Sequence, residues 1–297
     1  MLLYVVNSIG SSPGRTGFMM AVTATGETDG SIGGGIMEHK FVEMAKACLM
    51  QSREPVLIHR QLHDKKSSAD QSGMICSGEQ TNLLYVVKQE DMASIEALIH
   101  SMENYQNGTL EISNKGIQFF DSIIDSEPEA TVDFIYREKT GFTNQLFIIG
   151  GGHCALALSQ LISRMDFYIH VLDDRKQLPT LEENKFIHQK TLLKSYGEVG
   201  AHVPAGKHAY VVIMTEGYRT DAVALASLLG REFKYLGLLG SSSKVKKMFA
   251  DMMEKGLSPE LLKTIHAPIG IAINSQTPEE IAVSIAAEII AVKNREG

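Results

Sequence analysis

The sequence predicts an α/β protein with a Rossmann-like, doubly wound parallel sheet in its C-terminal part and a smaller α/β domain before it. Two observations predict the parallel sheet. Apolar strands alternate with helical patterns over residues 144–297, and a glycine-rich turn joins the first of these strands to its helix. A separate pattern of strands and an amphipathic helix over residues 1–90 predicts the smaller domain. Residues 91–143 carry a weaker pattern, with a short helix from Met92 to Met102 and then short strands in a region rich in glycine, asparagine and serine, and we expect a partly ordered connector there.

Composition narrows the class of protein. With 297 residues, 44% of them hydrophobic, the chain is long enough for two domains that each have a core. The net charge is -7 and the 28 basic residues form no run, which argues against a nucleic-acid partner. The three cysteines are far apart and suggest neither a disulfide framework nor a Cys-x-x-Cys metal site, so we expect a protein of the reducing cytoplasm. We expect no membrane association, since no apolar run approaches the roughly 20 residues that span a bilayer.

The most informative stretch is a strand that breaks into Gly150, Gly151 and Gly152 and continues from His153 as a helix. Gly150, Gly152 and Ala155 fit the pattern G-x-G-x-x-A. In that pattern the first glycine makes the turn, the second lets the backbone approach a pyrophosphate, and the small third residue lets the helix pack on the strand. The N–H groups at the start of the helix then face the anion. This predicts a nucleotide-like or other phosphorylated ligand, and the alternative is a structural turn that needs glycine. His153 either donates to a phosphate or caps the turn.

The next strand ends in Asp173, Asp174 and Arg175, about twenty residues beyond the glycines, where a ribose-binding carboxylate is expected. An acid at this point favours a ligand with a 2′-hydroxyl over one with a 2′-phosphate, although Arg175 weakens that inference.

Two further helix starts are candidate binding points. Gly33, Gly34 and Gly35 precede an amphipathic helix and form either a second anion-binding nest or a tight corner. Glu38, in the first turn of that helix, either contacts a ligand or interacts favourably with the helix dipole. Gly240 and Ser241 lie between a strand and a helix, where they either contact a ligand or cap the helix.

Cys76 lies among small residues and glycines, which predicts either an accessible, reactive thiol or a small core residue. For Cys48 and Cys154, which lie in apolar helical patterns, we expect the core.

Taken together and in this order, these motifs resemble the xanthine dehydrogenase accessory family of the XdhC/CoxI type. The resemblance covers nearly the whole chain except residues 91–143. The matching segments are Gly10-Ser-Ser-Pro13, Gly33-Gly-Gly-Ile-Met-Glu38, Cys76 with Gly78, Gly150-Gly-Gly-His153, Val171-Leu-Asp-Asp-Arg175, Leu236-Gly-Leu-Leu-Gly-Ser241, Ala267-Pro-Ile-Gly270 and the stretch from Thr277 to Ile290.

The resemblance implies a protein without turnover of its own that binds the molybdenum cofactor, as molybdopterin or its dinucleotide form. Such a protein protects the cofactor during sulfuration and delivers it to a molybdenum hydroxylase apoenzyme such as xanthine dehydrogenase. It also implies a sulfurase as a second partner, a homodimer, and Cys76 as a contact to molybdenum or sulfur. The two candidate glycine nests, one in each domain, suggest that the cofactor, or a nucleotide beside it, lies between the domains. Glu216 departs from the family, which usually has a histidine at this position.

Two alternatives stay open. The glycine motif and Asp174 are also typical of an NAD-dependent oxidoreductase, although the sequence nominates no acid or base to accompany hydride transfer. The same motif fits a regulatory module that senses NAD or another nucleotide.

Overall fold

The computed structural model divides the chain into two units, Met1–Gly141 and Phe142–Gly297. The structure describes residues 1–51, 56–62, 78–124 and 134–296. Within these ranges, none of the helices combines the length and the apolar character that crossing a bilayer requires.

The first unit is built on a five-stranded antiparallel sheet with one helix on one face. Alternate side chains of the first strand, Leu3 and Val5, pack against Met37 and Phe41 of that helix in a buried cluster. This alternation is the period of two that predicts a half-buried strand. The elements are β1 (Leu2–Gly10), β2 (Met19–Val22), β3 (Thr28–Gly30), α1 (Gly35–Gln51), β4 (Val56–Leu62) and β5 (Gly78–Tyr85), and the strand order is β3-β2-β1-β5-β4.

The opposite face of this sheet packs against a smaller sheet, through a cluster that includes Tyr4, Leu83 and Ile112. The stretch predicted to be a connector therefore contains a helix and three strands of the first unit. The charged residues of these strands have partners that are distant in sequence: Arg137 Nε donates to Glu111 over 2.7 Å. The elements are α2 (Met92–Glu103), β6 (Gly108–Ser113), β7 (Gly116–Phe120) and β8 (Ile135–Thr140), with strand order β7-β6-β8.

The second unit is a five-stranded parallel sheet with helices on both faces, which confirms the predicted Rossmann-like, doubly wound fold. Its order is β11-β10-β9-β12-β13. The elements are β9 (Asn144–Ile149), α3 (His153–Ile162), β10 (Phe167–Asp173), α4 (Pro179–Glu182), β11 (Gln189–Leu192), α5 (Val199–His202), β12 (Gly206–Ile213), α6 (Tyr218–Leu228), β13 (Phe233–Leu238), α7 (Ser242–Glu254), α8 (Pro259–Lys263) and α9 (Pro278–Lys293).

The central strand β9 explains why the sequence shows a continuous apolar run at this point. Leu146 and Ile148 pack in one cluster with residues of α3 and α9, whereas Phe147 and Ile149 pack in another with residues of α6 and α7. Because both faces of the strand are covered, no polar residue interrupts the run.

The C-terminal segment closes one edge of the sheet. The N–H of His266 donates to Leu236 O over 2.9 Å, and the N–H of Leu238 donates to His266 O over 3.0 Å. The N–H of Ile269 then donates to Leu238 O over 3.0 Å. Helix α9 follows, and Thr277 and Glu280 cap its first turn reciprocally.

Candidate functional site

The strand order reverses between β9 and β12, since the chain runs from β9 outward through β10 to β11 and then returns to start β12 on the other side. In open parallel sheets, ligands bind outside the carboxyl ends of the strands at this reversal. Two loops meet there, Gly150–Gly152 after β9 and Thr215–Gly217 after β12.

Gly150 and Gly152 have different tasks in this crevice. Gly150 has φ +105°, and a Cβ built on it would lie 2.5 Å from Met214 O, so its lack of a side chain lets the two loops pack. Gly152 has φ -72°, and no atom of the described chain lies within 4 Å of a Cβ built on it. Gly150 therefore makes the turn, while Gly152 leaves open space at the start of α3.

Two helices begin at this crevice with glycine as the N-cap, α3 at Gly152 and α6 at Gly217. Neither glycine has a side chain that could accept the first-turn N–H groups of its helix. The first-turn N–H groups of both helices consequently depend on water or a ligand for an acceptor. An anionic group between these two helix starts satisfies that need.

At the third glycine-to-helix junction, before α7, a side chain caps the start of the helix. Ser241 caps α7, because its Oγ accepts the N–H of Lys244 over 3.2 Å. A Cβ on Gly240 would lie 2.9 Å from Cδ of Lys244. This geometry favours the capping alternative for Gly240 and Ser241.

Asp173 is fully buried and is engaged by the chain itself. Its Oδ2 accepts the N–H of Gly151 over 2.7 Å and Nη2 of Arg175 over 2.5 Å. Its Oδ1 accepts the N–H and Nε of Arg175, each over 2.8 Å. Burial alone would raise the pKa of Asp173, but the hydrogen bonds from Arg175 and Gly151 outweigh it and lower the pKa. Asp173, one of the two acids at the place where a ribose carboxylate is expected, therefore fixes the glycine loop. Asp174 beside it is partly exposed.

Arg175 also reaches across the glycine loop. Its Nη1 lies 3.4 Å from Oε2 of Glu216, whose side chain is 60% exposed. Since β9 lies between β10 and β12, this ion pair joins the loop after β10 to the loop after β12, across the glycine loop. Glu216, which departs from the family pattern, thus has a defined partner.

Sequence reasoning missed a buried ion pair near the same edge. Asp221 in the first turn of α6 is fully buried and accepts Nζ of Lys244 over 2.5 Å. It also accepts the N–H of Thr215 over 3.0 Å. The pair holds the loop after β12 against α7. The only signal in the sequence is the acidic residue in the first turn of a helix, which is common for other reasons.

The glycine nest of the first unit is filled by the protein's own carboxylate. Oε2 of Glu38 accepts the N–H of Ile32 over 2.9 Å, the N–H of Gly34 over 3.0 Å and the hydroxyl of Ser31 over 2.7 Å. Of the three glycines predicted to form an anion-binding nest or a tight corner, Gly34 donates to Glu38 and Gly33 donates to Oγ of Ser31 over 3.1 Å. All three have positive φ (128°, 74° and 72°), which satisfies the tight-corner alternative.

This contact predicts a pH dependence. Burial would raise the pKa of Glu38, but the hydrogen bonds from Ser31, Ile32 and Gly34 outweigh it and lower the pKa. The stabilisation is therefore fully present above the ordinary glutamate pKa of about 4.3 and is lost as pH falls through the lower folded value. We expect Glu38→Gln to cost about 1 kcal/mol at pH 7, with solvent screening allowed for, and progressively less below about pH 4. Denaturation of both proteins between pH 3 and 8 measures this, and a difference that stays constant over the whole range would contradict it.

Gln80 on β5 is a second residue that sequence reasoning missed. It is fully buried, its Oε1 accepts the N–H of Gly14 over 3.0 Å, and its Nε2 donates to Ile32 O over 2.9 Å. One side chain therefore joins the loop after β1 to the glycine corner before α1. The available signal was weak, because Gln80 and Asn82 stand at alternate positions of a strand whose Glu79 and Thr81 are polar as well.

Cys76 lies outside the described residues, so its role as a metal or sulfur contact stays a prediction. Cys48 is buried and Cys154 is half-buried, and burial raises the pKa of the Cys154 thiol. In the described ranges, no group of three or more His, Cys, Asp or Glu side chains is arranged to hold a metal ion.

The fold defines a class: a two-unit protein whose second unit is a Rossmann-like domain. Comparison with known protein families gives the same fold for the second unit. Residues 146–289 match the XdhC Rossmann domain and residues 1–60 match the XdhC and CoxI family. The chain belongs to the XdhC family.

Two curated relatives are longer proteins, and the chain spans 43% of the length of each. The uncharacterized protein YqeB of Escherichia coli is 29% identical over 292 residues, which is 98% of this chain. A probable xanthine dehydrogenase subunit of Bacillus subtilis is 28% identical over 152 residues, which is 51% of this chain.

A solved structure shares the fold. The crystal structure described as a xanthine dehydrogenase (BH1974) from Bacillus halodurans superposes with a TM-score of 0.72 at 21% identity. The match covers 100% of this chain and 92% of that chain.

Proposed function

We propose that this protein is a maturation factor for a molybdenum hydroxylase of the xanthine dehydrogenase type. In this proposal, the second unit holds the molybdenum cofactor by its phosphate group until the cofactor passes to the apoenzyme. Family membership supports the link to xanthine dehydrogenase. The observation that carries the proposal is the pair of glycine-capped helices, α3 and α6, that begin at the strand reversal.

The residues of this edge fit a phosphorylated pterin. The open space at Gly152 admits a phosphate to the first-turn N–H groups of α3, and Gly217 gives the same access at α6. Arg175 supplies a positive charge beside the loop. The cofactor is cargo in this scheme: it brings the molybdenum chemistry to its client, and the chain binds and orients it. Cys76 is the proposed contact to molybdenum or sulfur.

The proposal extends to a sulfurase that acts while the cofactor is held, to a homodimer as the working assembly, and to the cytoplasm as the location. The NAD-dependent oxidoreductase receives no support from Asp173, because its oxygens are engaged by Gly151 and Arg175 and are not available to a ribose hydroxyl. That alternative depends on Asp174, which is partly exposed.

The direct test is to purify the protein from cells that make the cofactor and to analyse what it retains. We expect a molybdopterin species by mass spectrometry, and we expect the loaded protein to activate a molybdenum hydroxylase apoenzyme. Retention of a nucleotide alone, with no effect on the apoenzyme, would favour the nucleotide-sensing alternative. Retention of no small molecule, together with no activation, would overturn the proposal.

Gly152→Val is expected to reduce the retained cofactor at least tenfold, because the new side chain occupies the space through which the phosphate approaches the helix. The fold should persist, since φ at Gly152 is -72° and the added Cβ meets open space. Fluorescence of the oxidised pterin measures retention, and thermal unfolding checks the fold.

Gly197→Ala is the control, because a Cβ there makes only ordinary contacts at 3.5 and 3.8 Å. Unchanged retention in folded Gly152→Val would place the ligand elsewhere.

A further inference from the structure

We propose that Arg175, held in place by Asp173, is a receptor for a phosphate monoester on the ligand of the Gly150–Gly152 loop. We further propose that Glu216 competes with this phosphate for the guanidinium. The inference rests on the proposed function and refines the chemical class of its ligand.

Asp173 fixes the orientation of the guanidinium. Arg175 donates its backbone N–H, Nε and Nη2 to the two oxygens of Asp173 at 2.5 to 2.8 Å. A planar guanidinium held through two nitrogens has little rotational freedom left to lose when it binds a second anion. Asp173 also accepts the N–H of Gly151, so the arginine is anchored to the glycine loop itself.

The remaining nitrogen, Nη1, is directed to a weakly held partner. It lies 3.4 Å from Oε2 of Glu216, a long contact to a carboxylate whose side chain is 60% exposed. Exposed ion pairs of this kind contribute little stability, so a stronger anion replaces them readily. Because the contact crosses the β9 loop, the carboxylate occupies a place beside the proposed phosphate position.

The same contacts disfavour a ribose hydroxyl at this position. A hydroxyl that donated to Asp173 would meet a carboxylate whose two oxygens already accept four donors, which leaves Asp174 as the acid at this strand end. A phosphate needs donors instead, and Arg175 provides one. In Rossmann domains an arginine at the end of the second strand accommodates a phosphate where a carboxylate would bind the hydroxyl. The ligand class is therefore one with a phosphate monoester, either the terminal phosphate of a pterin or a 2′-phosphate of a nucleotide.

Two matched probe pairs separate these sources. NADP⁺ and NAD⁺ differ only in a 2′-phosphate. The fluorescent pterin obtained by oxidising molybdopterin can be compared before and after a phosphatase removes its phosphate ester. Isothermal titration calorimetry on the full chain measures the first pair, and fluorescence titration measures the second. We expect at least one pair to show a tenfold or greater preference for the phosphorylated member.

Two variants test whether Arg175 causes the preference for the phosphorylated probe. Arg175→Gln should abolish it, and Glu216→Gln should strengthen binding of the phosphorylated probe about threefold without affecting its partner. Glu216 is exposed, so this second variant tests the inference even if loss of Arg175 disturbs the fold. Lys176→Gln is the control, because it removes the same charge from an exposed neighbouring residue.

A preference in either pair that disappears in Arg175→Gln supports the inference, and the pair that shows it identifies the source. Equal binding within both pairs overturns the inference. If the two members of each pair bind equally well and Gly152→Val weakens the binding of both, the proposed function stands and only the inference about Arg175 fails. If none of the four probes binds, the proposed function fails as well.

Discussion

Replacing Gly150 with alanine is expected to lower the free energy of unfolding of the second unit by about 3 kcal/mol. Two costs combine in this change. The residue has φ +105°, which alanine adopts only with strain. The new Cβ would also lie 2.5 Å from Met214 O and 2.8 Å from Thr215 Cα, and both are backbone atoms that cannot move aside alone.

Chemical denaturation, with hydrogen exchange read on peptides from residues 142–297, measures this loss. Gly152→Ala is the matched control and should cost no more than about 1 kcal/mol, because its Cβ meets open space and only the cap preference changes. Equal losses in the two variants would contradict the different tasks assigned to the two glycines.

Gln80→Leu is the second change with a large expected effect. It should lower the free energy of unfolding of the first unit by about 3 kcal/mol. The change leaves the buried N–H of Gly14 and the carbonyl of Ile32 without the side-chain partners that they have now. Each unsatisfied buried group costs about 1 to 3 kcal/mol.

Hydrogen exchange should also rise in peptides that contain Gly14 and Ile32, while peptides of the second unit keep their protection. Thr81→Val, at the next position of the strand, is the control, because its partly exposed side chain lies on the other face of the sheet. Unchanged exchange in Gln80→Leu would mean that the two loops are held together by other contacts.

Local patterns were sufficient to predict the second unit. The apolar run of β9, the glycines after it and the reciprocal cap at Thr277 each act within a few residues of the sequence, and all three are present in the structure. Alternation of strands and helices then indicated a parallel sheet. The first unit was harder, since β8 carries Arg137 and Glu138, whose partners Glu111 and Tyr4 lie far away in the chain. A charged strand without visible partners resembles a loop.

The candidate site shows the same limit. The sequence located Gly33, Glu38, Gly151 and Asp173 but could not show that each carboxylate accepts N–H groups of its own glycine loop. In a sequence, a carboxylate near a glycine loop fits two arrangements: the loop N–H groups bind a ligand, or they bind that carboxylate. Only the loop geometry, which depends on the packing of Gln80 and Arg175, decides between them.

The segment at residues 266–269 has a consequence for association. Outward-facing backbone groups of Leu236 and Leu238 are already bonded within the chain, so a strand from another molecule cannot add to β13 at these residues. The opposite edge, β11, has only four residues and includes Lys190, features that discourage strand addition. Both edges therefore disfavour edge-to-edge association, and we expect a protein that docks on this domain to recognise side chains and surface shape.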